Sequence, residues 1–243
     1  MMELGFTKLF MGISALICIL GPVLIAALMV KKYKASRRAF LGGAIVFIVS
    51  QPLLRIPILN QLKDTTWFTL FTLSHTVVYI ILLALSAGIF EETGRYFGLR
   101  FFLKNKLSWE NGIVFGLGHG GAEAFSFVGL NYLKTIFALL TGQTVDWVAN
   151  TPSYLFLVGG VERILAITAH IGMTMLVLYA VKYGKKSYFL LAVLFHTLID
   201  ITSPIIKQVG IPLNVWGSEG CLAVFALLAF LITFKFKAVL ARV

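Results

Sequence analysis

Charge is scarce in this chain. Lys, Arg, Asp and Glu together make up 13% of its 243 residues, against about 25% in ordinary soluble domains. Only ten residues are acidic. With 59% hydrophobic residues and a mean hydropathy of +0.92, this excludes a disordered tail, a nucleic-acid module and nearly any soluble enzyme. Cysteine is limited to Cys18 and Cys221, in apolar segments at opposite ends, so there is no disulfide framework and no metal knuckle. Neither G-x-S-x-G nor H-E-x-x-H occurs, which removes a serine elbow and a simple zincin. Asp200 is the one aspartate inside an apolar segment, so a paired-aspartate intramembrane protease is excluded as well. The first apolar segment is too long for a signal peptide and lacks an Ala-x-Ala cleavage site, so it reads as a retained helix.

Long apolar runs fill the rest. A membrane-spanning helix needs about 20 such residues, and the pattern predicts seven helices, over 6–30, 39–60, 68–92 (with a possible continuation to 103), 109–130, 151–181, 187–206 and 215–236. The fold class is therefore all-α, a polytopic membrane helix bundle forming one integral membrane domain over 1–243. Residues 131–150 read as a long connection in which Tyr132, Phe137 and Trp147 suit a short helix in the headgroup zone. The net charge of +11 is a topology signal. Fifteen of the twenty-one basic residues fall in four clusters, at 31–38, from Arg95 to Lys106, at 182–186 and after Phe234. All four lie on one side of a seven-helix chain, and the positive-inside rule makes that side cytoplasmic. The N-terminus is then outside and the C-terminus cytoplasmic. The partner is the lipid bilayer, and no nucleic acid is expected because the basic clusters lack interleaved aromatics on a soluble face.

The acidic residues and histidines break the apolar pattern. Glu91, Glu92, Glu123, Glu162, Asp200 and all four histidines sit in or at the ends of apolar segments. An ionisable group there costs at least a few kcal/mol (about 2.5 to 3.5 for Asp) and faces the bundle interior or a wet cavity. Glu91, His119, His170 and His196 each lie ten to thirteen residues from a basic anchor, or about 15–20 Å at 1.5 Å per residue. If the third helix continues through Gly94 and Gly98, these groups share one layer near mid-membrane. His119 and Glu123 are i, i+4, as are His196 and Asp200, so each pair shares a helix face. Arg95 follows Glu91 and Glu92 closely enough to hold one of them and leave the other free to exchange protons. Arg163 and His170 share a face, with Glu162 beside Arg163. Structural readings compete: His75 as a hydrogen-bonded or interfacial residue, Glu162–Arg163 as a plain ion pair, Glu123 as an acceptor that orients His119, and Gly116, Gly118, Gly120 and Gly121 as packing residues.

A glutamate and a histidine in a wet membrane cavity can together take a proton from water. A second histidine with a protonated aspartic acid can hold a developing oxyanion. The expected reaction is hydrolysis of a peptide bond in a membrane-embedded or membrane-bound peptide or protein. The main expectation is a glutamate/histidine mechanism without a cofactor. The alternative is zinc, since Glu91, His119, Glu123, His170 and His196 offer enough nitrogen and oxygen ligands. A proton-coupled transporter or a non-enzymatic immunity or scaffold protein are the other readings. A transporter predicts paired inverted repeats, which the sequence lacks, and a scaffold predicts no polar layer.

The motifs carry a family resemblance. Glu91-Glu92-Thr-Gly-Arg95, Phe115-Gly-Leu-Gly-His119 and His196-Thr-Leu-Ile-Asp200 resemble, in order and on separate helices, the three motifs of the CAAX-protease and bacteriocin-processing superfamily of intramembrane proteases. Gly118-His-Gly-Gly-Ala-Glu123 and the Glu162-Arg163…His170 segment resemble its YhfC-type bacterial branch. The resemblance covers about 88–205 and implies a bacterial cytoplasmic membrane. It further implies Glu91 and His119 as the water-activating pair, with His196 and Asp200 as the oxyanion stabilisers; Glu92 completes the catalytic set, held by Arg95 or capping a neighbouring group. Arg95, Glu123, Glu162, Arg163 and His170 stand in support. Arg95 is one residue earlier than in the superfamily pattern, and Asp200 replaces the commoner Asn.

Overall fold

The computed structural model describes residues 2–208, 210 and 215–240. Among them there is no strand, and seven helices are long and apolar enough to cross a membrane. These are α1 (Glu3–Tyr33), α2 (Arg37–Lys63), α3 (Thr76–Leu103), α4 (Trp109–Leu140), α5 (Ser153–Tyr183), α6 (Lys186–Gln208) and α7 (Val215–Leu240). The chain is an all-α membrane bundle, as its composition requires: large apolar side chains such as Leu24, Leu73, Phe137 and Leu190 stay exposed on the outside, where lipid rather than water solvates them.

Two boundaries differ from the sequence reading. The 68–92 segment is divided at His75, whose backbone (φ −131°, ψ 48°) ends a short helix, Thr66–Ser74, before α3 begins. His75 is exposed and stacks on Phe71 at 5.6 Å. The fourth helix continues to Leu140 instead of stopping at 130, running through a π-helical stretch (Phe125–Gly129). The long connection thereby shrinks, and Asp146–Ala149 is its short helix. α3 does run unbroken past Gly94 and Gly98, closing in a π-helical turn, Leu99–Leu103.

α4 and α5 are the most buried of the seven helices. α4 packs on α1, α2 and α5, and α5 also packs on α6 and α7; α3 lies against α2 and α6. Glycine permits these close crossings. A Cβ on Gly116 would sit 2.8 Å from the Ile171 Cα of α5, and one on Gly43 would sit 2.8 Å from the His119 backbone nitrogen. At the end of the bundle where basic residues gather, Asn111 joins two turns. It accepts from the Ser36 N–H at 2.7 Å and donates to the Lys106 carbonyl at 2.8 Å.

Candidate active site

The polar layer is real and buried. Glu91, Glu92, Arg95, His119, His170 and His196 are each at most 5% exposed, and they come from α3, α4, α5 and α6. Gly88 lets α6 approach the carboxylates: a Cβ there would lie 2.9 Å from the Val193 carbonyl oxygen. Gly120 does the same for α5, where a Cβ would lie 3.2 Å from the His170 Cβ.

Glu91 Oε2 lies 2.8 Å from His119 Nε2, and its Oε1 accepts from Gln51 Nε2 of α2. Arg55 donates to Gln51 Oε1 at 3.0 Å. A guanidinium has no acceptor, so this contact fixes the amide with its oxygen toward Arg55 and its nitrogen toward Glu91. Arg55 is itself clamped by Ser86 Oγ at 2.9 Å and the Leu83 carbonyl at 2.7 Å. Glu92 turns the other way. Its Oε1 lies 2.8 Å from His196 Nδ1, and its Oε2 lies 3.5 Å from Arg95. Arg95 donates to the His170 carbonyl at 3.1 Å and meets His170 Nδ1 at 3.0 Å. That nitrogen must therefore accept, and the His170 proton sits on Nε2, 2.7 Å from Glu123 Oε2. Arg163 donates to Glu123 Oε1 at 2.9 Å and to Glu162. Among the described residues His196 Nε2 has no hydrogen bond, and it stands 3.9 Å from Glu91 Oε1 and 3.7 Å from Asp200 Oδ2.

Glu123 thus serves α5 and not His119, although i, i+4 spacing puts both on one face of α4. α5 crosses that face closely enough for His170 and Arg163 to reach the carboxylate first. The arginine beside the adjacent carboxylates pairs with Glu92 and leaves Glu91 to His119. Glu91, Glu123, His170, His196 and Asp200 line a cavity of about 510 Å³, together with Gln51, Arg55 and Glu219. Gln51, Arg55 and Glu219 are absent from the sequence-derived set. The available signal was Gln51 itself, an uncharged amide in an apolar run with an arginine one turn later.

Glu91, His119 and His170 can each bring one ligand atom so that the three lie within 4.8 Å of one another. Two imidazoles and a carboxylate form a donor set that zinc takes in hydrolases. Among the described residues His119 Nδ1 is buried without a partner, a costly state for a polar atom and one that a bound cation nearby helps to explain. These residues fit a divalent metal. Both His170 nitrogens are engaged, so ligation by His170 exchanges one of its hydrogen bonds for the metal.

Residues 16–222 match the family described as YhfC intramembrane metalloprotease. The chain belongs to this family. A Bacillus subtilis (strain 168) protein described as "Uncharacterized membrane protein YhfC" is 34% identical over 239 residues, spanning 90% of this chain and 92% of the relative. No solved structure matches. The expectation of a site without a cofactor is overturned by this family and by the Glu91–His119–His170 cluster. The cluster draws one ligand from each of three helices, so no local spacing of the H-E-x-x-H kind announces it.

Proposed function

We propose that the chain is a zinc-dependent intramembrane endopeptidase acting on a membrane-embedded or membrane-bound peptide or protein. The observation that carries this reading is the convergence of Glu91, His119 and His170 behind a cavity inside a membrane bundle. These three residues hold the metal. When bound, zinc lowers the pKa of a water and polarises a carbonyl.

The chain's own groups do the rest. Gln51 fixes the Oε1 side of the Glu91 carboxylate, with Arg55 fixing Gln51. Glu123 and Arg95 each hold one nitrogen of His170, and the bond that remains when the other nitrogen ligates fixes the ring plane. Partners of this kind orient metal ligands and set their basicity. His196 is the proton carrier. Glu92 occupies its Nδ1, so Nε2 is the atom that takes a proton from the attacking water and delivers it to the leaving amine. Asp200, facing the same nitrogen across the cavity wall, holds the imidazolium. The superfamily role of His196 and Asp200 as oxyanion stabilisers is compatible with this placement, since a protonated Nε2 donates toward the cavity.

The test is metal analysis of protein purified in detergent, followed by cleavage of a transmembrane peptide library. About one zinc per chain is expected, with cleavage lost to a chelator and restored by zinc. Cleavage by fully metal-free protein overturns the proposal.

The basic end of the bundle is proposed to face the cytoplasm of a bacterial cell, with the N-terminus outside. In a background lacking Cys18 and Cys221, Thr144→Cys is expected to react with an impermeant thiol reagent in intact cells. Ser187→Cys is expected to react only after permeabilisation. The reverse pattern inverts the topology.

A further inference from the structure

A second built feature lies on the outside of the bundle, in the seam between α2 and α3, away from the polar layer. At the basic end, a cavity of about 590 Å³ is bounded by Arg38, Lys104 and Lys106 above and by Leu41, Ile45 and Phe101 below. A second cavity of about 520 Å³ continues it along the seam, and the two share Ile45, Phe101 and Phe102. Apart from Ser50 and Thr93, the second stretch is walled by apolar side chains and glycine. The groove is therefore cationic at one end and apolar along the rest.

Among the described residues, no protein side chain fills either end. Arg38, Lys104 and Lys106 are exposed, and none has a side-chain ion pair or hydrogen bond among the described residues. Lys104 is held in place by its backbone, at φ 43° directly after the π-helical turn that closes α3. Phe101 is 64% exposed and Ile45 44%. The seam is long enough for an acyl chain. Arg38 and Leu54 are separated by about 24 Å of helix at 1.5 Å per residue, more than the ~15 Å depth of one leaflet. Glycine shapes its floor. A Cβ on Gly98 would lie 3.0 Å from the Phe115 ring, so the helices close behind the groove and leave its outer side open.

We propose that this groove is a binding site for one anionic phospholipid. The phosphate lies among Arg38, Lys104 and Lys106, and an acyl chain lies along Ile45, Phe101 and Phe97. The match is one of order along the membrane normal: three unpaired cations stand at headgroup depth, and an apolar trough begins directly beneath them. Basic pockets between helices at a membrane surface select anionic headgroups in this way. A soluble phosphate would use the cations and leave the trough unfilled, and a zwitterionic lipid would fill the trough without matching the charge.

Native mass spectrometry of the full chain in detergent tests this with three probes: phosphatidylglycerol, phosphatidylcholine of the same chains, and inorganic phosphate. One phosphatidylglycerol is expected to be retained per chain, favoured over phosphatidylcholine by about tenfold or more, the scale set by two to three cations at a headgroup. Lys104→Gln with Lys106→Gln is expected to remove the preference. Lys185→Gln with Lys186→Gln, the same loss of charge elsewhere on that end, is expected to keep it. Ile45→Trp, which fills the shared part of the trough, is expected to lower retention of both lipids. Equal retention of the two lipids by the unaltered chain overturns the proposal. So does equal damage from the two lysine pairs, displacement of the lipid by inorganic phosphate, or unchanged retention in Ile45→Trp.

Discussion

Glu91 and Glu92 are consecutive residues on α3, both buried, and they face different halves of the layer. Glu91 looks toward α4 and α2, where it meets His119 and Gln51. Glu92 looks toward α6, where it meets His196, and leans on Arg95. Successive helical residues point about 100° apart, so one turn of α3 supplies two walls. On the proposed reading, the Glu91 half holds a metal and the Glu92 half moves protons. Both halves use a histidine–carboxylate pair. The difference lies in the company each pair keeps: a second histidine within ligand distance on one side, an open imidazole nitrogen on the other, with Arg95 bridging the two through His170 and Glu92.

Substitutions separate the halves. The largest effect is expected from Glu91→Gln, which removes a ligand oxygen. Bound zinc and cleavage are lost together, by about 10³-fold or more in rate if the metal supplies several kcal/mol. His119→Ala is expected to match it, and the double variant to be no worse than either alone, because groups acting as a unit are not additive. Normal zinc content in Glu91→Gln would merge the two halves and end the comparison.

His196→Ala comes next. Loss of a general acid–base group costs about 10²–10⁴-fold in rate, with zinc content measured by elemental analysis unchanged. Zinc lost along with activity would move His196 to the metal half. Smaller again is Gln51→Leu, which strips the Glu91 carboxylate of its fixed donor. Zinc affinity by chelator competition is expected to fall by about 10–100-fold, while Gln51→Glu, which keeps the partner of Arg55 but not the donor to Glu91, gives no rescue. The least effect on rate is expected from Glu92→Gln. It retains an oxygen for His196 and leaves Arg95 short of a countercharge, so the loss appears as about 3 kcal/mol of stability read by thermal unfolding in detergent. A dead but fully stable Glu92→Gln would exchange the roles of the two glutamates.

The layer was legible because lipid makes it expensive. Glu91, Glu92, His119, His170 and His196 stand out in an apolar chain by type alone, and their common depth followed from helix rise and the basic anchors. Gln51 was less visible, since an uncharged amide carries a smaller penalty and does not stand out in a count of charges. Arg55, a lone basic residue late in an apolar run, turns inward to Ser86 and Leu83. Arg95 was counted partly as a topology residue and is wholly inside. The partner of Glu123 could not be read from spacing on α4, because it depends on how closely α5 crosses. The zinc alternative held all three ligands of the cluster among its five, but which three converge was hidden for the same reason: spacing along one helix records neighbours on that helix, and the ligands belong to three.

The glycine contacts around α4 bear on how the protein meets membranes of different thickness. A helix whose hydrophobic length does not match its bilayer responds by tilting or by deforming the lipid, at a modest cost per ångström. Side chains between two helices can repack as the helices tilt. Where Gly43 and Gly118 bring α2 and α4 into backbone contact, with the Phe115 and Phe40 carbonyls occupying the space of a Cβ, there is nothing soft to repack. α2 and α4 must then tilt as one body, carrying Gln51 and His119 together. Cleavage rates compared in thin and thick lipid nanodiscs are accordingly expected to differ little, as in an enzyme whose working parts are shielded from the elasticity of its solvent.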